Sequence, residues 1–128
     1  MTDTVLLIDD EADLLRGLAR LVHLELGCRV LTAENGLKAL EIFKKEPVDA
    51  VVADIQMPEL DGLTLLKAIK ELDSGVTVII MTAYGTIERA VDAIKAGAYD
   101  FIQKPFDAAQ LSRKIRSVLA TVNEEASV

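Results

Sequence analysis

Five short apolar runs, at residues 5–8, 28–33, 48–53, 76–81 and 99–102, recur along the chain, and each is followed by a stretch of helical character. The runs are close to continuously hydrophobic rather than alternating, which is the pattern of strands covered on both faces. The intervening stretches, at about 11–26, 35–46, 62–72, 85–96 and 107–122, place apolar residues on one side only. In the last of them Leu111, Ile115, Val118, Leu119 and Val122 fall on one stripe, with Arg113, Lys114 and Arg116 off it. Gly27, Gly75 and Gly97 follow helical stretches, where a left-handed cap is expected. A fivefold strand-helix repeat predicts an α/β fold: a doubly wound, five-stranded parallel sheet of order 2-1-3-4-5, flavodoxin-like in architecture, with right-handed crossovers.

Composition narrows the function classes. With 128 residues the chain makes one domain, and its 51% apolar content excludes disorder. A net charge of -7 argues against nucleic-acid binding, which needs a basic surface. No apolar run approaches the roughly 18 residues that span a bilayer, and no signal-peptide pattern follows Met1, so no membrane partner and a cytoplasmic location are expected. The single Cys28 cannot form an internal disulfide and reads as a small core residue.

The chemistry gathers where the apolar runs stop. Asp9 and Asp10 follow the first run, Asp54 the third, Thr82 the fourth, and Lys104 with Pro105 the fifth. In the order 2-1-3-4-5 the chain reverses direction between the first and third strands, and a crevice opens above their carboxyl ends. All these residues would then share one rim, while the second strand, ending in Ala33, Glu34 and Asn35, would stand apart. Each also has a plainer reading. Asp9 and Asp10 could cap the first helix, Thr82 could cap the fourth, Asp54 could be a loop aspartate and Lys104 a solvated turn residue. Their joint occurrence at successive strand ends favours one site for a divalent metal and a phosphoryl group.

In wording and spacing the chain resembles receiver domains of two-component response regulators over about residues 3–122. The matching stretches are Leu-Ile-Asp-Asp-Glu at 7–11, Val-Ala-Asp-Ile-Gln-Met-Pro at 52–58, Asp-Gly at 61–62, Met-Thr-Ala-Tyr at 81–84 and Gly-Ala-Tyr-Asp-Phe-Ile-Gln-Lys-Pro-Phe at 97–106. The wording at 81–85 and 97–106 is most similar to receivers of the nitrogen-regulator and dicarboxylate-transport-regulator type. Those precede an ATPase that activates sigma-54 RNA polymerase and a DNA-binding domain.

The resemblance implies a phosphorylation-controlled switch rather than an enzyme. Asp54 would accept a phosphoryl group from a phosphohistidine of a sensor histidine kinase. Asp9, Asp10, Asp54 and the backbone carbonyl of Gln56 would hold Mg²⁺ or Mn²⁺, an all-oxygen set suited to a hard cation. Lys104, the Thr82 hydroxyl and the Ala83 amide would contact the phosphoryl oxygens, with positioning and charge neutralisation as the main work. Thr82 and Phe101 would form the switch, Gln56 and Tyr84 would slow hydrolysis of the phosphoaspartate, and the Lys104–Pro105 bond would be cis. A kinase helix would dock on the site-proximal end of helix one, by Pro105 and Phe106. Signal would leave through helix four, strand five and helix five, where Glu88, Arg89, Asp92, Lys95, Arg113 and Arg116 could pair across a homodimer or form a solvated face.

Two other classes share parts of this pattern. An aspartyl-phosphate phosphatase wants a second aspartate where the chain has Gln56, and a flavin carrier wants a hydroxyl-rich loop where it has Asp-Asp-Glu. His23 lies among Leu21, Val22 and Leu24 and reads as structural or exposed rather than phosphorylated. Residues 1–122 are expected to be the receiver, and the polar residues 123–128 the start of a linker to a downstream effector domain or a C-terminal tail.

Overall fold

The computed structural model describes residues 3–57, 59–83 and 87–127, with the backbone alone for residues 87 and 121–127. Strands and helices alternate: β1 (Thr4–Ile8), α1 (Ala12–Leu26), β2 (Arg29–Ala33), α2 (Gly36–Lys45), β3 (Ala50–Asp54), α3 (Gly62–Leu72), β4 (Thr77–Thr82), α4 (Ile87–Lys95), β5 (Asp100–Gln103) and α5 (Ala108–Ser127). The sheet order is β2-β1-β3-β4-β5 and every pairing is parallel.

Successive residues of a strand point to opposite faces, so a strand buried on both sides must be apolar throughout. In β1, Leu6 and Ile8 enter an apolar layer with Leu65, Leu66 and Ile69 of α3 and Ala39 of α2. Val5 and Leu7 enter the opposite layer with Leu15, Leu18 and Val22 of α1 and Leu111, Ile115 and Val118 of α5. Val5 to Ile8 are all 0% exposed. At about 1.5–3 kcal/mol for each large apolar side chain removed from water, these two layers supply the main drive to fold.

Helix starts are set by side chains where the sequence provides them. Asn35 Oδ1 accepts from the Lys38 amide at 2.8 Å to start α2, and Asp61 Oδ1 accepts from the Thr64 amide at 2.9 Å to start α3. The expectation of left-handed glycine caps holds at Gly27 (φ 65°) and Gly97 (φ 113°) but not at Gly75. There α3 ends on an extended Asp73, whose Oδ1 accepts from the Gly75 amide at 3.0 Å, so a carboxylate makes the turn instead.

Boundaries shift by small amounts for local reasons. β3 begins at Ala50 because Asp49 turns onto the start of β1: its Oδ2 accepts from the Thr4 amide at 2.7 Å and its own amide donates to the Thr4 carbonyl at 2.9 Å. α5 runs on through residues 123–127, which the sequence reads as polar tail. Among the described residues no helix is long and apolar enough to cross a membrane.

The registers place the site. Ile8 pairs with Ala53, Asp54 with Met81, and Thr82 with Gln103, so the residues that end β1, β3, β4 and β5 come level at one edge.

Candidate functional site

β1 stops at Ile8, and this is what brings both following aspartates to the site. Inside a strand they would face opposite ways. Beyond its end, Asp9, Asp10 and Asp54 each offer a carboxylate oxygen, and these oxygens lie within 4.8 Å of one another. Asp9 is fully buried and Asp54 6% exposed, whereas Asp10 is exposed. The capping role open to Asp9 and Asp10 falls elsewhere: Glu11 is the N-cap residue of α1, and its side chain makes no capping hydrogen bond.

Buried carboxylates are costly unless paired and hydrogen-bonded. Asp9 Oδ1 accepts from the Glu11 amide at 2.9 Å, and Asp54 Oδ1 from the Gln56 amide at 2.9 Å. The remaining oxygens are taken by Lys104, whose Nζ lies 2.8 Å from Asp9 Oδ2 and 2.9 Å from Asp54 Oδ2. Burial by itself would push the Lys104 ammonium down, but its hydrogen bonds to Asp9 and Asp54 and their charges outweigh this and raise it.

Lys104 reaches this position from a cis peptide bond to Pro105 and a backbone bond from its amide to the Thr82 carbonyl at 2.7 Å. That bond holds the end of β5 against the end of β4, where Thr82 is buried and Ala83 half-buried. The third side of the site is the β3–α3 loop. A Cβ on Gly62 would lie 2.3 Å from the Asp54 carbonyl oxygen and 2.5 Å from Ile55 Cα, so only glycine lets α3 begin this close to Asp54.

The other singled-out residues lie as follows. The Gln56 side chain is exposed beside the site, and Tyr84 falls outside the described residues. Phe101 is half-buried and packs on the layer shared with α3 and α4. His23 is exposed, with Nδ1 2.9 Å from the Cys28 carbonyl, a structural contact at the end of α1. Cys28 is buried, and that burial pushes its thiol up, away from reactivity. Arg89 turns inward along its own chain, Nη2 standing 3.7 Å from Asp61 Oδ2, while Glu88, Asp92, Lys95, Arg113 and Arg116 are exposed.

The donor set tests whether a divalent metal fits. Three carboxylates face one ammonium, so negative charge remains uncompensated at a partly buried edge, and every donor is an oxygen. That chemistry is compatible with a hard divalent cation.

Glu11 falls within the Leu-Ile-Asp-Asp-Glu stretch, but the sequence assigns it no role of its own. Its Oε1 stands 4.0 Å from Lys104 Nζ and its side chain is 68% exposed, at the mouth of the acidic cluster. Its position directly after the aspartate pair was the available signal. Beside it a cavity of about 340 Å³ is lined mainly by Leu14 and Leu18 of α1 and by Pro105 and Phe106, with Lys104 as the shared wall.

Comparison with known proteins gives a consistent outcome. Residues 5–116 match the model of the response regulator receiver domain. The chain is 40% identical over 120 residues to the chemotaxis protein CheY of Bacillus subtilis, covering 93% of this chain and 99% of that protein. It is 38% identical over 115 residues to the regulatory protein AtoC of Escherichia coli, covering 90% of this chain but 25% of the relative. Thus the chain spans nearly all of one relative and about a quarter of the other. Among solved structures, the receiver domain of NtrX from Brucella abortus superposes with a TM-score of 0.87 at 37% identity, over 91% of this chain and 98% of that one. A CheY-like receiver domain protein from Methanospirillum hungatei superposes with a TM-score of 0.92 at 27% identity, over 98% and 99%.

Proposed function

The chain belongs to the response regulator receiver family of two-component signalling, and from that premise we propose that Asp54 is its phosphoryl acceptor and the fold its switch. The observation that carries this reading is the pairing of a nearly buried Asp54 with Lys104 at 2.9 Å, beside two further aspartates.

The Asp54 carboxylate oxygen attacks phosphorus in line with the leaving group, which departs with its bonding electron pair. The bond from the Gln56 amide to Oδ1 fixes the rotation of the Asp54 carboxylate. Lys104, already bonded to Oδ2, follows the charge onto the phosphoryl oxygens, and the Thr82 hydroxyl with the Ala83 amide takes another oxygen. Asp9, Asp10, Asp54 and the Gln56 carbonyl would hold Mg²⁺ or Mn²⁺, which when bound neutralises charge on the transferring group. Movement of Thr82 toward the new charge leaves space behind it, which Phe101 fills by packing alone since it has no hydroxyl. Gln56 and Tyr84 restrict the approach of hydrolytic water and lengthen the life of the phosphoaspartate.

The donor is a sensor histidine kinase docking on Leu14, Leu18, Pro105 and Phe106, whose apolar groove adjoins Lys104. The signal leaves through α4, β5 and α5, where the exposed Val91, Ile94 and Tyr99 lie among Glu88, Asp92, Arg113 and Arg116 and suit a homodimer. A downstream effector for sigma-54-dependent transcription and a cytoplasmic location complete the reading.

Incubation with Mg²⁺ and acetyl phosphate, followed by intact mass, tests it. One added phosphate that requires the metal and is absent in Asp54→Asn is expected. A folded protein that takes up no phosphate from any donor would overturn it.

A further inference from the structure

We propose that Glu11 is a charge filter that sets which phosphodonors the site accepts, disfavouring the more anionic ones; this rests on Asp54 being the phosphoryl acceptor. Three observations converge on the residue. It is the N-cap residue of α1, but glutamate is not among the short polar residues that cap well; its side chain makes no capping bond and is left exposed. Its backbone is held instead, because its amide donates to Asp9 Oδ1 at 2.9 Å, so the side chain springs from a fixed point on the acidic cluster. The carboxylate then stands 4.0 Å from Lys104 Nζ and lines the apolar cavity that shares Lys104 with Asp54.

Among the lining residues of that cavity, Glu11 and Lys104 are the charged ones. A donor held with its leaving group toward the cavity meets both. Lys104 is already engaged by Asp9 and Asp54, so it answers the phosphoryl oxygens and not the rest of the donor. Glu11 therefore adds a repulsion that grows with the donor's negative charge. Acetyl phosphate is a dianion near neutral pH: the Asp54 oxygen forms the new P–O bond, the phosphorus–acetyl oxygen bond breaks and acetate leaves with the pair. Phosphoramidate is a monoanion with a protonated nitrogen: the P–N bond breaks and ammonia leaves with the pair. The acceptor, the bond formed and the group transferred are the same, so the two donors differ at Glu11 chiefly in charge. At 68% side-chain exposure the effect is modest and salt-sensitive.

The test measures initial phosphorylation rates with each donor, at fixed Mg²⁺ and low ionic strength, in the wild type, Glu11→Gln and Glu11→Asp. Removing the charge is expected to raise the acetyl phosphate to phosphoramidate rate ratio roughly 3- to 10-fold. The change should fall in the donor concentration for half-maximal rate rather than in the maximal rate, should be absent in Glu11→Asp, and should vanish near 1 M salt. A ratio unchanged in Glu11→Gln, or two donors altered by the same factor, would overturn the filter. Failure of the wild type to accept phosphate from either donor would instead overturn the acceptor assignment, so the two failures are distinguishable.

Discussion

A single ammonium joins the ends of two strands: Lys104 Nζ lies 2.8 Å from Asp9 Oδ2 and 2.9 Å from Asp54 Oδ2, reaching across the end of β4. Asp9 is fully buried, so its charge depends on this partner more than a surface carboxylate would. Replacing Lys104 by methionine keeps the length of the stem and removes the charge. In chelator it is expected to lower stability by roughly 1–3 kcal/mol. Added Mg²⁺ should then stabilise Lys104→Met more than the wild type, because the carboxylates there lack any cation of their own. Paired denaturant melts with and without metal check this, and equal stabilisation of the two proteins would contradict it.

Gly62 and Gly17 should respond to alanine in opposite directions. At Gly62 the new methyl meets backbone, 2.3 Å from the Asp54 carbonyl oxygen, and neither partner is a flexible chain end. A loss of about 1–3 kcal/mol or more is expected, and, if Asp54 is the acceptor proposed above, slower phosphorylation, since the clash moves the end of β3. Gly17 lies within α1, and among the described residues nothing beyond its own helix backbone comes within 4 Å of the added carbon. There alanine should gain about 0.5–1 kcal/mol by helix propensity. Urea midpoints for the two variants decide both.

Asp61 ties α3 to α4 and should leave a mark on acid stability. Its carboxyl is held below the ordinary range, first by the amide of Thr64, whose hydrogen bond it accepts, with the Arg89 guanidinium adding a smaller effect. A carboxyl lowered in the folded state contributes in full above its unfolded value of about 3.9 and loses that contribution as pH falls through the lower folded value. Asp61→Ala should therefore cost roughly 0.5–2 kcal/mol near neutrality and progressively less below about pH 4. Asp61→Asn, which caps without titrating, should show little of this pH dependence. Stability curves from pH 6 down to pH 2.5 separate these outcomes.

Ser112 is 2% exposed on the core side of α5, and its hydroxyl has no hydrogen-bond partner among the described residues. A buried hydroxyl left unpaired costs free energy. Ser112→Ala is expected to be neutral to about 1 kcal/mol more stable in a thermal melt. A loss above that range would point to a partner for the hydroxyl.

The strand order and the gathering of Asp9, Asp10, Asp54, Thr82 and Lys104 at one edge were legible because each rests on a local, repeated signal. Continuous apolar runs mark strands buried on both faces, and their ends mark one edge once all strands are parallel. What failed to read out has equally local causes. Gly75 looked like a left-handed cap because glycine is usual there, but Asp73 supplies the turn by side chain. The contact of Arg89 with Asp61 could not be read from the sequence, because the two residues lie far apart along the chain. The helix expected to end at 122 runs on to Ser127, because polar composition does not by itself break a helix.

Periodicity and strand ends are enough to specify a five-stranded doubly wound sheet whose carboxylates, hydroxyl and ammonium share an edge. Pattern suffices for that, since periodicity and strand ends are properties of neighbouring residues. The pairings within that edge come from the folded arrangement. It gave Lys104 both Asp9 and Asp54, seated Gly62 against the Asp54 carbonyl and set the Glu11 carboxylate 4.0 Å from Lys104 Nζ. Those are distances between residues far apart in the chain, and they follow from register and packing.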